Sequence, residues 1–244
     1  MPDSSTATAW FGVLVVESGT GWADLVTDSI RREGILVSIA GGGASALLAI
    51  VAKARPDMII LEAGDCLDET MATCRTLRSV SEAHIAVLTA NCDRATRLAG
   101  LKAGADEVFA EPLRTGEIAC RVRTILNHRR PSASGTGPCP DPGTGRQFGS
   151  LTIDVHRRLV FVSGEQVHLT RVQFDILVAL SHRPDGITTR QELLNAVWGP
   201  EWRGNPGVID VHIGHLRRRL GDDPADPRLV VNVRGVGYRL PGSR

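Results

Sequence analysis

Five short runs of apolar residues in the first half of the chain alternate with longer segments whose apolar residues recur at helical spacing. The apolar runs are residues 11–16, 36–40, 58–61, 85–89 and 107–110. The helical segments are residues 23–32, 44–54, 69–78, 94–103 and 115–128. Apolar runs without polar alternation are typical of parallel strands covered on both faces, so the pattern predicts a doubly wound α/β domain with a five-stranded parallel sheet.

The pattern changes near residue 128. Residues 129–147 have no apolar period and are dense in Pro, Gly, Ser and Thr, which predicts a flexible linker. The segments LTID, RLVFV and QVHLT that follow predict a small antiparallel sheet. The chain is therefore expected to contain one domain at residues 10–128 and a second at residues 148–242.

Three helices are expected in the second domain. Thr170 is a candidate N-cap for the first, and Thr188 or Thr189 for the second. The third covers residues 206–220, and its predicted buried stripe consists of Ile209, Ile213, Leu216 and Leu220. The opposite face carries Val211, Gly214, His215 and Arg218. Three consecutive arginines, residues 217–219, place positive charge at the C-terminal end, where it favours the helix dipole and an anionic partner.

A basic hairpin is predicted downstream of this helix. The segment RLVVNVRGVGYRL contains two β-type stretches that turn at Gly235 and Gly237, with Arg234 near the tip and Tyr238 returning to the core. A helix followed by such a hairpin is typical of a winged-helix DNA-binding domain.

Composition limits where a nucleic-acid surface can lie. The 244 residues carry 28 Lys and Arg against 27 Asp and Glu, a net charge of +1, so a basic surface must be local. No secretion signal or membrane-length apolar stretch is present, which predicts a cytoplasmic protein without a membrane partner. The five cysteines are odd in number and form no CxxC pair, which argues against a disulfide framework and a zinc site.

The two halves together resemble the OmpR/PhoB-type response regulators of bacterial two-component signalling, over nearly the whole chain. The segments LTRVQFDILVAL, TRQELLNAVWG, IDVHIGHLRRRLG and VRGVGYRL stand in the family's order and spacing. The resemblance implies a flavodoxin-like receiver domain and a C-terminal α+β winged helix-turn-helix domain that binds double-stranded DNA. It implies a regulator rather than an enzyme, with residues 199–207 as a loop presented to RNA polymerase. A homodimer is expected, because one small reading module gives limited contact area.

The resemblance also implies a phosphorylation pocket, but several of its residues differ here. Receivers use an acidic pair for a divalent cation, an Asp as phosphoryl acceptor, and a Thr or Ser and a Lys around the phosphoryl group. Glu17 keeps one acid of the pair, but Ser18 replaces the other. Glu62 occupies the acceptor position, Thr89 is retained, and Glu111 stands where the lysine is expected.

These substitutions predict a degenerate receiver that is regulated without phosphorylation and needs no cofactor. Glu111 would place like charge near Glu17 and Glu62, and a glutamate displaces the nucleophilic oxygen from the position an aspartate gives it. Because of these differences from the family, a cognate histidine kinase is not expected. Glu62 is interpreted either as a fixed mimic of a phosphorylated Asp or as a relic in a dimerisation platform; we favour the platform.

The predicted DNA-binding residues are Val211, His212, His215, Arg217, Arg218, Arg219 and Arg234. By family position, His212 and Arg217 match phosphate contacts, Val211 and His215 match base-facing residues, and Arg234 matches a minor-groove arginine. The i, i+3 spacing of His212 and His215 also suits a metal, but no third ligand accompanies it, so we expect DNA contact.

The same residues are compatible with an alternative function. The receiver-like domain could bind a small molecule or a partner protein at the carboxyl ends of its strands and thereby control DNA binding, as in a one-component sensor.

Overall fold

The computed structural model describes residues 12–41, 43–90, 93–110, 115–127, 145–200, 202 and 206–242. The chain divides into two compact units between residues 129 and 130. Within the described residues, no helix combines the length and the apolar character needed to cross a membrane.

The first unit is a parallel sheet with intervening helices. Its strands are β1 (Gly12–Val16), β2 (Leu36–Ala40), β3 (Met58–Glu62), β4 (His84–Thr89) and β5 (Glu107–Ala110). Its helices are α1 (Trp22–Arg32), α2 (Ala44–Ala54), α3 (Leu67–Val80), α4 (Arg94–Ala103) and α5 (Thr115–Asn127). The strand order β2-β1-β3-β4-β5, with every pair parallel, confirms the predicted doubly wound fold.

The strand order brings the ends of two particular strands together. β1 lies between β2 and β3, and Val16 pairs with Leu61 near the carboxyl ends of β1 and β3. Ligand sites of such sheets form where the strand order reverses, at the carboxyl ends. Residues immediately after β1 therefore lie beside Glu62, the last residue of β3.

The prediction that every strand is covered on both faces is wrong for β2. This strand is at the edge of the sheet, and Leu36 and Ile39 are 62% and 38% exposed. Its continuous apolar run resembles that of a central strand, because periodicity alone does not distinguish an edge strand from a covered one.

The second unit begins with a four-stranded antiparallel sheet. Its strands are β6 (Arg146–Phe148), β7 (Leu151–Asp154), β8 (Leu159–Val162) and β9 (Glu165–Val167). The remaining elements are α6 (Arg171–Ser181), β10 (Thr188–Thr189), α7 (Arg190–Trp198), α8 (Val208–Leu220), β11 (Val231–Val233) and β12 (Gly237–Arg239). β6 begins at Arg146, so its first two residues fall in the predicted linker; residues 129–144 of that linker lie outside the described residues.

Two capping boxes fix the starts of α6 and α7. Thr170 accepts a hydrogen bond from the Gln173 amide at 3.4 Å, and the Gln173 side chain accepts one from the Thr170 amide at 3.0 Å. Thr189 and Glu192 form the equivalent pair, at 3.1 and 2.8 Å. Of the two candidates for the second cap, Thr189 is thus the N-cap, while Thr188 pairs with Tyr238 in the sheet.

The terminal hairpin packs closely against β10. β12 pairs with both β10 and β11, and the turn contains Gly235 with φ of 77°. A Cβ on Gly237 would stand 2.1 Å from the carbonyl oxygen of Thr188, so only glycine permits this approach. The predicted hairpin is confirmed, and Tyr238 returns to the core as predicted, with 4% exposure.

Candidate nucleic-acid interface and receiver-like pocket

The carboxylate of Glu62 is bound by the segment that joins β1 to α1. One oxygen accepts hydrogen bonds from the Ser18 amide at 2.6 Å and the Ser18 hydroxyl at 3.1 Å. The other accepts from the Thr20 hydroxyl and from the amides of Trp22 and Ala23, at 2.9 and 3.1 Å. Five donors thus surround a side chain that is 5% exposed.

Glu62 serves as the N-terminal cap of α1 from a neighbouring strand. The residue before that helix, Gly21, has no side chain to accept from the first amides, and Trp22 and Ala23 donate to Glu62 instead. A negative charge at this end is favoured by the helix dipole. Burial acts to raise the pKa of Glu62, but the hydrogen bonds from Thr20, Ser18 and Trp22 outweigh burial and lower the pKa below its ordinary value.

The other predicted pocket residues are placed differently. Glu17 is exposed, and a Cβ on Gly41 at the end of β2 would lie 3.0 Å from a carboxylate oxygen of Glu17. Thr89 is buried at the end of β4. Glu111 lies outside the described residues. The structure brings Ser18 to Glu62 and adds Thr20, which the sequence analysis did not single out.

Helix α8 has the predicted buried stripe. Ile209, Ile213, Leu216 and Leu220 are all buried. Val211, Gly214 and His215 are half-buried on the side facing away from the core, and Arg218 and Arg219 are exposed. Arg234 is exposed in the hairpin turn. The predicted DNA-binding residues that are accessible to a partner are therefore Val211, His215, Arg218, Arg219 and Arg234.

His212, which the family resemblance predicts as a phosphate contact at the flank of α8, is buried. Its side chain is 1% exposed, and its ring lies 5.6 Å from the ring of Trp198, centroid to centroid. Trp198 in turn lies 5.5 Å from Trp202, and His212 lies 6.4 Å from His215. These spacings are those of interacting aromatic rings, so His212 packs inside the domain instead of facing outward.

Arg217 is likewise directed toward the hairpin and not outward. Its Nε and Nη2 donate to the carbonyl oxygen of Val230 at 3.0 and 2.6 Å, and its side chain is 11% exposed. Asp222 holds the same segment by accepting from the amides of Arg228, Leu229 and Val230. The arginine run therefore divides into one structural arginine and two exposed ones, a distinction that helical spacing alone did not reveal.

The fold and these sites define a winged-helix regulator that carries a receiver-like unit. The family "Transcriptional regulatory protein, C terminal" matches residues 164–240. The chain belongs to the OmpR/PhoB family of DNA-binding response regulators, because full-length relatives of that family are 34% identical to it over 93% of its length.

Two curated relatives illustrate the match. One is the DNA-binding response regulator MtrA of Mycolicibacterium smegmatis, 34% identical over 227 residues, which are 95% of that protein. Another is the KDP operon transcriptional regulatory protein KdpE of Escherichia coli, 34% identical over 228 residues, which are 98% of that protein. A solved structure of a RitR mutant has a TM-score of 0.69 and 22% identity, covers 96% of this chain and all of its own, and supports the fold alone.

Proposed function

We propose that this chain binds double-stranded DNA in a sequence-specific manner through α8 and the hairpin β11–β12, and that its receiver-like unit works without phosphorylation. Val211 and His215 face the bases, because they lie on the accessible side of a helix whose opposite stripe is buried. Arg218 and Arg219 contact phosphates, and Arg234 extends from the hairpin turn toward a groove. His212 and Arg217 are not among these contacts.

The binding of Glu62 to the β1–α1 segment is the observation that carries phosphorylation independence. An acceptor carboxylate must keep an oxygen available to attack a phosphoryl group. Both oxygens of Glu62 already accept hydrogen bonds, and the amides of α1 stabilise the charged, unmodified form. Phosphorylation would break this set of contacts. The Ser18 amide and hydroxyl both donate to Glu62, and Ser18 does not provide a second acidic side chain for a cation.

The same contacts favour a platform over a mimic of a phosphorylated Asp. A mimic would act by engaging the Thr at the end of β4, whereas Glu62 accepts from Ser18, Thr20 and the first turn of α1. The receiver-like unit is then a fixed body that supports homodimerisation. Two copies would bind two half-sites, which raises the contact area on DNA.

The loop between α7 and α8 is the proposed contact with RNA polymerase. Its described residues include Trp202, which is half-buried and whose ring packs in a tilted arrangement against that of Trp198. Aromatic side chains with one accessible face are common anchors of protein interfaces.

A phosphodonor experiment tests the receiver proposal. The full chain is incubated with acetyl phosphate and Mg²⁺, and intact mass is measured before and after mild base. We expect no adduct. A stoichiometric, acid-stable and base-labile phosphoryl adduct would show that an acid of this unit still accepts phosphate. A typical receiver that has an Asp acceptor, treated in parallel, controls for the activity of the donor.

A further inference from the structure

One carboxylate oxygen joins three elements of the second unit. Asp210, in the first turn of α8, accepts a hydrogen bond at Oδ1 from Arg190 Nε at 2.9 Å and another from the Tyr238 hydroxyl at 2.7 Å. Arg190 is the first residue of α7, and Tyr238 is the central residue of β12. We call Arg190, Asp210 and Tyr238 the Asp210 junction.

The junction is reinforced by two guanidinium groups near the Tyr238 ring. The guanidinium carbon of Arg190 lies 5.1 Å from the ring centroid, and that of Arg217 lies 5.9 Å from it. Arg217 also donates to the carbonyl oxygen of Val230, the residue before β11. Both strands of the hairpin are thus tied to α8, β12 through the junction and β11 through Arg217.

The dipole of α8 does not by itself account for this arrangement. An acid in the first turn of a helix is favoured by the dipole, and a solvated Asp would satisfy that preference. Asp210 is 48% exposed, yet it also shares one oxygen between a buried tyrosine and an arginine from another helix. It does so at the point where α8 meets the sheet that carries the hairpin, so the contact fixes the orientation of one element relative to the other.

We propose that Arg190, Asp210 and Tyr238 are positioning residues for DNA readout, which hold α8 and the hairpin β11–β12 in the relative orientation needed to contact one duplex together. The proposal rests on the function proposed above, in which α8 and the hairpin form the DNA surface. Contacting groups must be held within roughly 0.5 Å of their productive places by the residues behind them. A loosened junction therefore reduces the affinity for a specific duplex, where both elements must fit at once.

Tyr238→Phe is the central variant, because it removes only the hydroxyl that binds Asp210. The probe is a duplex selected by the wild-type full chain from a random library, compared with a random duplex over a range of salt. We expect Tyr238→Phe to weaken binding to the selected duplex about tenfold, the effect of one hydrogen bond to a charged group. Asp210→Ala, which also removes the bond from Arg190, should weaken it by at least as much. Binding to the random duplex and the salt slope stay unchanged.

The double variant Asp210→Ala/Tyr238→Phe tests whether the two residues act as one unit. Because each single change removes the same hydrogen bond, the double variant should bind no more weakly than Asp210→Ala. If the fold-losses in affinity of the two single variants multiply in the double variant, the two residues do not act as one junction and the proposal is overturned. Arg183→Ala is the matched control, since it removes an ion pair with Glu192 of α7 at 2.7 Å that lies outside the junction, and it should leave both affinities unchanged.

The remaining outcomes separate the junction from the proposed DNA surface. One outcome is that Arg190→Ala, Asp210→Ala or Tyr238→Phe lowers the affinity for both the selected and the random duplex. If Arg190→Ala also lowers the salt slope by about one, Arg190 is a phosphate contact and the positioning role is overturned. If Arg218→Ala weakens both duplexes while Tyr238→Phe changes neither, the DNA surface stands and the junction fails. If Arg218→Ala also changes neither, the proposed surface itself is wrong. Thermal unfolding of each variant establishes that the assay temperature lies below its midpoint.

Discussion

At the scale of single residues, the Glu62 carboxylate stabilises the receiver-like unit by satisfying the start of α1. Glu62→Gln keeps the size of the side chain but removes the charge and one acceptor. We expect it to lower the free energy of unfolding of this unit by about 2–4 kcal/mol, since donors at the helix start lose a charged partner. Urea unfolding measures the effect, and Glu17→Gln, an exposed carboxylate nearby, is the control. Equal stability of the two variants would contradict this account.

The same prediction has a pH dependence with a defined sign. The folded pKa of Glu62 lies below its ordinary value of 4.5, so the charged carboxylate contributes stability that is complete above about that pH. The contribution is lost as the pH falls from there through the lower folded pKa. The difference in stability between wild type and Glu62→Gln should therefore be largest near neutral pH and shrink in acid.

Tyr238 offers a direct measurement, because it is the only tyrosine in the chain. Burial and then the hydrogen bond to Asp210 raise the pKa of Tyr238 from 10.0 to about 12. Tyrosinate absorbance of the native protein should therefore show a midpoint near 12, against about 10 for the urea-unfolded chain. The stability from the protonated phenol is complete below 10 and is lost as the pH rises toward 12. Asp210→Asn should lower the native midpoint, and a native midpoint near 10 would be inconsistent with the junction.

At the scale of elements, neighbouring arginines of α8 have different roles. Arg218→Ala should weaken binding to specific and random duplexes alike and lower the salt slope by about one, because a phosphate contact is blind to sequence. Arg217→Ala should instead lower the free energy of unfolding by about 1–3 kcal/mol, because the carbonyl oxygen of Val230 loses a charged donor. Salt-dependent binding and urea unfolding of both variants check the division. A lowered salt slope in folded Arg217→Ala would show that this arginine also reaches DNA.

The elements themselves were largely predictable from the sequence. Three of the five predicted parallel strands, β1, β3 and β4, match buried strands, because continuous apolar runs follow directly from coverage by helices on both faces. The N-cap of α6 was predicted at Thr170 and that of α7 at Thr188 or Thr189, because an N-cap threonine satisfies amides that are its neighbours in sequence. β6 and β10, of three and two residues, were missed because they are too short to show a period.

The candidate sites were less predictable, because they depend on contacts between distant segments. The segment 18–23 binds Glu62 across about forty residues of sequence, and spacing carries no signal for such a pair. His212 and Arg217 were predicted as phosphate contacts from family position, which says nothing about the residues that pack against them in this chain. Helical spacing gives an angle around α8, but Trp198 and Val230 decide which side chains are covered there.

At the scale of the whole molecule, the hydrogen bonding of the receiver-like pocket bears on how DNA binding is regulated. A usual receiver alters its partner surface when phosphate and Mg²⁺ arrive. Here the corresponding carboxylate already accepts hydrogen bonds from its own unit, which is the basis for proposing that phosphate and Mg²⁺ do not change its conformation. Under the proposed phosphorylation independence, DNA binding is controlled by the amount of protein, by dimerisation, or by another ligand.

The response of the full chain to added ligands distinguishes these sources of control. We expect Mg²⁺ with acetyl phosphate to leave unchanged the thermal midpoint of the receiver-like unit, the oligomeric state by light scattering, and the affinity for a selected duplex. The reason is that Ser18 and Glu62, which would be needed for the cation and the phosphoryl group, are bound to each other. The same addition with excess EDTA is the control. A ligand present at about a hundred times its dissociation constant would add about 2.7 kcal/mol to stability, which a thermal shift detects readily. A shift with Mg²⁺ would therefore contradict the loss of phospho-chemistry. A shift with a metabolite that also changes DNA affinity would instead favour a one-component sensor over a platform.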